Sequence, residues 1–505
     1  MAETSTPGPA IGDLIAAGDV IIKQVFISGV SKQMDITNFV IEINLYEDLF
    51  GNALHGDLIL RDTVNLISMI PIVGNETVTI EVLTPGQAGE GINPLAKIQK
   101  SFVVYGVKNR MLSNEDKEQL YSVKFMSLEA ASDNITFISE KFEGKTDELV
   151  QKIYEERIAQ PRYFTDTMVP GEADKTALVI GDTPHESSVS FVPAFWTPFQ
   201  CLNYIASRSI GATSKSPTFL FFETLHAFYF TSLENLITAQ MEASSFGGAY
   251  IYMGKTHGTR NTFDALVASY GKVEKMKFLT QLDMLQGQDT GHYTSMLYTF
   301  DMVKKEVTQT IYDHGIEADS YAHLEDYSKD SSGKYTKNEE RSKLNTIFPP
   351  NIMRSANSKM FIRTIHPGVT DNSDEKLMNL HPEMFVSNRN SLFMDVNTLK
   401  LSLQVPGRTD LHVGKIIEFK YPSVKSKTEE TTTENFYDKY ISGFYIITAI
   451  HHQITKLRHT INMEVAKDSL VTALVNEGQM NSGAGTTAGQ KPTDSKSTPV
   501  PSSGK

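Results

Sequence analysis

One cysteine, Cys201, occurs in 505 residues. It excludes an intrachain disulfide framework and any zinc site built on cysteine pairs. No apolar run approaches the length of about eighteen residues that spans a bilayer, so no transmembrane helix is expected. Positive charge is also short: 47 Lys and Arg stand against 60 Asp and Glu, a net charge of −13. Proteins that wrap DNA or lie on anionic membranes are usually basic, so neither is expected as the main task. The stretch from Met1 to Ala10 has no basic start and no apolar core, so no secretory signal is expected. The scarcity of cysteine fits folding in a reducing cytosol. What is present is globular, with 40% apolar and 21% charged residues. The length suggests about three or four domains.

Short strands dominate both ends. Val20 to Gly29 forms the first expected strand. Phe39, Ile41, Ile43 and Leu45 alternate with Val40, Glu42 and Asn44, the period of two of a half-buried strand. Asp57–Arg61, Thr77–Leu83, Ser101–Gly106 and Tyr121–Leu128 follow, with a helical turn at Asn65–Ile70. Gly, Asn and Pro punctuation between them suggests a barrel or sandwich. Near residue 130 the pattern changes. Thr146 to Ile158 has helical periodicity, with Thr146 as the expected cap. A second helix begins after Thr197 as N-cap and Pro198 at N1. Leu220–Glu223 and Phe228–Thr231 form a hairpin crowded with Phe219, Phe221, Phe222, Phe228, Tyr229 and Phe230, which suit a core or an interface.

Residues 245–325 mix both signals, and the hydrophilic run 325–345 is expected to be a solvated loop. After residue 395 strands return at Thr398–Gln404, Val413–Lys420, Tyr440–His451 and His459–Val465. Gly443 marks an expected bulge. Residues 424–436 look like a charged insertion, and Asp468–Val475 like a closing helix. From Gln479 onward, Gly, Ser, Thr and Pro supply 16 of 27 residues. Such a segment has too little apolar surface to offset ordering entropy, so a flexible tail of net charge +2 is expected on a body of −15.

A search for chemistry is negative. There is no H-E-x-x-H and no Walker A motif. Gly483, Gly485 and Gly489 lie in the tail and not between a strand and a helix. His451 and His452 are adjacent on a strand and face opposite ways, so they cannot share an ion with His459. Cys201 sits on an apolar helix face, as a small core residue does. No pair among the 60 carboxylates stands out for hydrolysis. No enzyme activity, cofactor or metal is expected.

Four stretches, in order, carry a resemblance. They are Gly56–Asp62 with Ile70–Glu76; Tyr121–Glu129 with Lys145–Val150; Pro198–Arg208 with Phe219–Thr224 and Phe228–Leu233; and Val405–Leu411 with Ser442–Thr448 and Met463–Asp468. Together they resemble the central baseplate hub protein of contractile-tailed, T-even-type bacteriophages. They are distantly similar to type VI secretion spike hubs and late-control D proteins. Leu225-His226-Ala227 departs from the Asp-Gly turn that the resemblance leads one to expect.

The resemblance implies an α+β, β-rich fold in which two tube-like antiparallel β-barrel modules flank mixed α/β middle domains, followed by a flexible C-terminal tail. The implied division is an arm at 1–19, a first barrel at 20–131, a connecting domain at 132–215, and a middle domain with the aromatic hairpin at 216–375. A second barrel at 376–478 and the tail at 479–505 complete it. The implied function is a non-enzymatic structural hub: a homotrimer whose six barrels adapt a six-fold tail tube to a three-fold central spike and leave a channel for DNA. Its partners would be the spike, tube or tube-initiator proteins, and baseplate wedge and tape-measure proteins. DNA would only pass through, without membrane insertion, in a virion baseplate assembled in host cytoplasm. The alternatives are the hub of a contractile secretion or injection spike, or a hub carrying a cell-wall hydrolase activity. An acidic or neutral channel wall is expected from the body charge. Partner-binding positions are expected in the tail at Gly483, Pro492, Lys496, Pro499, Val500 and Lys505.

Overall fold

The computed structural model describes residues 16–470 except 30–31, 71, 75, 85, 89–90, 94–96, 113–117, 160–175, 183–187, 253–269, 282, 330–333, 338–358, 366–376 and 424–436. The tail with its six expected binding positions, most of the arm and the 424–436 insertion lie outside the described residues.

The first β region contains β1 (Ile21–Ser28), β2 (Val40–Asp48), β3 (His55–Asp62), β4 (Thr77–Leu83), β5 (Lys97–Leu112) and β6 (Gln119–Ser127). Helices α1 (Leu128–Ile135), α2 (Thr146–Ile153) and α3 (Pro198–Ala206) follow, with β7 (Ala177–Ile180) before α3. Next come β8 (Phe219–Glu223), β9 (Ala227–Ser232), α4 (Leu233–Glu242), β10 (Ala249–Tyr252) and β11 (Lys275–Gln281). The middle adds β12 (Thr294–Asp301), β13 (Glu306–Asp313), β14 (Met360–Ile365) and α5 (Val386–Asp395). The last region holds β15 (Leu399–Pro406), β16 (Ile416–Lys420), β17 (Gly443–Thr455) and β18 (His459–Lys467).

The fold is β-rich and mixed α+β, as expected, but the two β regions are not separate antiparallel barrels. Their strands belong to one 14-stranded sheet. The link is an antiparallel ladder of β2 with β17, from Glu42 opposite Thr455 to Asp48 opposite Ala449. The sheet is also not wholly antiparallel, because β10 pairs in parallel with β16 and with Lys272–Val273.

Three hydrophobic clusters follow this division. One lies behind the first region, one behind the last, and one among α2, α3 and the β8–β9 hairpin. The hairpin aromatics are core: Phe219, Phe221, Phe222, Phe228 and Phe230 are all buried. Its turn is closed by Thr224, whose hydroxyl accepts from His226 N and Ala227 N. That bonding substitutes for the expected Asp-Gly pair.

Several local expectations need correction. Ile41 is exposed, because a register shift between Val40 and Glu42 interrupts the alternation. Thr146 is the first helical residue and not the cap, which is Lys145 without a side-chain bond. The bulge in β17 falls between Ile447 and Ala449, not at Gly443. Asp468–Leu470, expected to begin a helix, is not helical. Part of the expected loop 325–345 is packed: Glu325, Asp326, Tyr327 and Tyr335 are buried, and Tyr327–Lys329 pairs with Tyr335–Lys337. Helix α3 is as expected, with Thr197 and Gln200 forming a reciprocal capping box.

Gly56 shows why one glycine is needed. A Cβ there would lie 2.4 Å from Asn44 O and 2.5 Å from the Phe125 ring. The ring covers the gap in β3, so Gly56→Ala should push Phe125 off the core. A loss of about 1–3 kcal/mol is expected from this overpacking, read as a lower denaturation midpoint with an unchanged m-value.

Candidate functional site: the module seam and two open strand edges

The two β regions repeat one another in strand order, although β1 pairs with β4 antiparallel and its counterpart β10 pairs with β16 in parallel. In the first, the order across the sheet is β2-β3-β6-β5-β4-β1; in the last it is β11-β15-β18-β17-β16-β10. Sequence order also corresponds: β1, β2, β3, β4, β5, β6 against β10, β11, β15, β16, β17, β18. One irregularity coincides as well, although β5 has a second shift, between Lys108 and Met111, that β17 lacks. The β5–β6 ladder shifts between Val104 and Gly106, and the β17–β18 ladder between Ile447 and Ala449. In each case the neighbouring ladder stops just before the shift, with Thr77 opposite Val103 and Ile416 opposite Ile446.

Beyond its bulge, β17 continues as a bare edge that β2 fills. The core side of this seam contains Ile43, Leu45, Ile450 and Ile454, all fully buried. Each such side chain contributes roughly 1.5–3 kcal/mol by leaving water. On the other side, Tyr46 stacks on His451 with ring centroids 4.5 Å apart. His451 Nε2 donates to Asn44 Oδ1 at 2.7 Å, and burial lowers the His451 pKa. Glu47 accepts from Val413 N and Leu225 N, both at 3.0 Å. Burial pushes its carboxyl up to about 7. Nearby, Lys100 Nζ lies 2.6 Å from Glu223, whose other oxygen accepts from Leu54 N.

The counterpart of this seam is open among the described residues. The part of β5 after its bulge, Gly106–Leu112, pairs with β6 on one side only among the described residues. The strand β11, counterpart of β2, pairs with β15 on one side only among the described residues. Both edges show apolar side chains: Met111 and Leu112 are 58% and 62% exposed, and Phe278 and Leu279 are 37% and 43% exposed. Bare strand edges of this kind are normally blunted, because they pair readily with another chain.

No family model matches the sequence, and no curated protein matches it. Among solved structures, one match is the tail protein from Neisseria meningitidis MC58, 9% identical, covering 88% of this chain and 96% of that one at a TM-score of 0.48. Another is the 43 kDa tail protein of prophage MuSo2 from Shewanella oneidensis, 9% identical, over 88% and 98% at 0.44. A third is an E. coli type VI secretion component described as similar to T4 bacteriophage tail proteins, 10% identical, over 89% and 78% at 0.39. Its structural neighbours are phage tail and type VI secretion proteins. These are likenesses of chain path, and no residue role is carried over from them.

The histidines singled out by sequence separate as strand geometry requires. His451 faces the seam, whereas His452 and His459 are fully buried on the other side, 3.1 Å apart. Burial drives the His452 pKa well down and that of His459 to about 3. Cys201 is buried in the α3 core, and burial pushes its thiol up to about 12. One group among the described residues could hold a metal: His292, His314 and Asp395. Neither this group nor the two open edges stood out in the sequence, because their partners lie far apart along the chain.

These titrations predict a pH profile. His452 and His459 are neutral when folded, so their contribution is present above about 6.5 and is lost as pH falls toward 3. Glu47 and Glu234 are both pushed to about 7, so folding weakens as pH rises from 4.5 to 7. Burial opposes charge on His323, but the Asp468 hydrogen bond and charge outweigh it and raise its pKa to about 10. That stabilisation is present below about 6.5 and is lost as pH rises toward 10. The opposing slopes between about 4.5 and 6.5 place a broad stability maximum there. Denaturant midpoints across this range should fall on both flanks, and His323→Gln should flatten the alkaline flank.

Proposed function

We propose that this chain is a structural hub of a contractile phage tail baseplate, without enzymatic activity. Three copies would form a ring of six similar β modules, matching a six-fold tube above to a three-fold spike below. The observation that supports this most is the repeated strand order, with one seam made inside the chain and the corresponding seam left open among the described residues. Superposing the two regions by their ladders puts β11 of one copy along β5 of the next. The intrachain register, carried across with the extra residue of β5 between Lys108 and Met111 taken into account, then sets Met276 opposite Leu112 and Lys277 opposite Met111. Two modules per chain let a three-fold assembly present six similar faces.

The polar face of the shared sheet would line the channel. It carries Lys124 paired with Asp57 and Lys400 paired with Glu464, both at 3.0 Å. Lys275 and Lys277 add positive charge, so this wall is mixed rather than uniformly acidic. Scattered, paired charges release few counterions, so DNA should pass without tight binding. A gel shift at about 0.15 M salt, where screening acts over ~8 Å, is expected to show none.

The spike and tube proteins would be partners at the two faces of the ring, in the virion. The tail, through Gly483, Pro492, Lys496, Pro499, Val500 and Lys505, would thread along one of them. Deletion after Gly478 should leave the trimer intact and lower incorporation into particles; unchanged incorporation would remove the threading idea. The assembly itself is tested by solution mass. The protomer is 56.2 kDa, and light scattering should give three times that value. A monomer at high concentration, with the spike partner present, would refute the hub reading.

A further inference from the structure

The middle region contains a cluster outside the seam and the open edges. His292 lies two residues before β12, and His314 directly follows β13. Thr294 is paired with Asp313, and His314 N donates to Tyr293 O at 2.9 Å. The two rings therefore sit at the base of one hairpin, with centroids 4.9 Å apart. Asp395 ends α5 and reaches both: its Oδ1 is 2.7 Å from His292 Nε2 and 3.3 Å from His314 Nε2. All three residues are buried.

Hydrogen bonding fixes one tautomer. The Ser391 hydroxyl donates its single proton to His292 O at 2.7 Å. At 3.0 Å from His314 Nδ1 it can then only accept, so Nδ1 carries the hydrogen. His314 Nε2 faces a carboxylate oxygen, so a proton or a metal ion is needed between them. Two acceptors at that distance repel in a dry interior unless something positive lies between them. A second observation points the same way. Asp395 Oδ2 is also buried and has no hydrogen-bond partner. A buried carboxylate oxygen without a partner is costly.

We propose that His292, His314 and Asp395 bind a divalent transition-metal ion of the zinc class. Two imidazoles and a carboxylate are a donor set that suits such an ion. With metal–ligand bonds of about 2.0–2.1 Å, tetrahedral ligand atoms lie about 3.3 Å apart. The His314–Asp395 separation already fits this, and His292 needs to move back by a few tenths of an ångström. Ser391, accepting from the far nitrogen of His314, is the outer partner that metal-bound histidines usually have. The ion would pin the β12–β13 hairpin to α5 and leave a fourth position for water. The role is structural and does not depend on the hub reading.

The test is elemental analysis of the full chain, purified without chelator, added metal or metal-affinity resin. About one zinc per chain is expected. Dipicolinate should remove it and lower the melting midpoint, and Zn²⁺ should restore both. Ser391→Ala, which keeps all three ligands, should weaken zinc binding about 10- to 100-fold. Cobalt loading should give visible absorption bands that His314→Gln lacks. If His314→Gln does not fold, the wild-type metal content and zinc titration decide alone. Metal well below one equivalent, with no midpoint shift on adding Zn²⁺, would overturn the proposal. The cluster would then be an imidazolium–carboxylate group.

Discussion

Replacing Lys467 with methionine is expected to cost about 3–5 kcal/mol of unfolding free energy. Lys467 and Glu325 form an ion pair at 2.7 Å, and both are almost wholly buried. Lys467 Nζ also donates to Ser442 O at 2.8 Å, and Phe444 N donates to Glu325 Oε1 at 2.7 Å. Removing the lysine strands a carboxylate in the interior without its counter-charge, held only by the Phe444 N–H. Domains are stable by only about 5–15 kcal/mol, so this is a large share. Glu325→Gln combined with Lys467→Met should recover part of the loss, because the stranded charge is gone. The non-additivity in urea unfolding measures the pairing. Gly443 belongs to the same arrangement. It has φ +134°, and a Cβ there would lie 1.9 Å from Glu325 Oε1 and 2.2 Å from Lys467 Nζ. Gly443→Ala should therefore be destabilising too, through both backbone strain and displacement of the pair.

The largest effect on assembly is expected from Met111→Lys combined with Leu112→Lys. Both side chains lie on the open β5 edge and are mostly exposed, so the chain's own stability should change by only about 0.5 kcal/mol. In the assembled ring they would face Lys277 and Met276 of the neighbouring copy. Like charges opposite one another destabilise strand pairing, and lysine on an edge is a common guard against it. The double variant should melt like the parent in its monomeric form but fail to form trimers. Sedimentation velocity would show the shift. Trimers that persist unchanged would mean that this edge is not the contact.

Much of the strand content could be read from alternation, since side chains on a half-buried strand reveal themselves locally. Thr77–Leu83, the α3 helix with its Thr197 cap and the aromatic hairpin are cases where short-range chemistry decides structure. The misses share one cause: the deciding partner is distant in sequence. Glu325 and Asp326 look solvated within a charged run, yet they are buried because Lys467 and His323 stand beside them. The His323–Asp468 contact at 3.1 Å likewise spans 145 residues. Asp468 looked like the start of a helix, but its carboxylate accepts from Leu324 N instead. The repeat of the two β regions was also faint in sequence. Ladder order preserves it, whereas equivalent positions carry unlike residues, such as Lys124 and Glu464 beside the two bulges. The β2–β17 seam could not be seen at all, because backbone pairing across some 400 residues leaves no local pattern.

Cross-linking across the proposed contact tests the central claim most directly. Leu112→Cys and Met276→Cys in one chain would place two thiols opposite each other between neighbouring copies, and a short bismaleimide tolerates a small error in register. Cys201 should stay silent, since it is buried and its thiol is held up to about 12. The account predicts covalent dimers and trimers on a denaturing gel with the double-cysteine chain, and neither with either single variant. Only monomers from the double-cysteine chain, under conditions where light scattering reports a trimer, would contradict the β5–β11 seam and the six-module ring built on it.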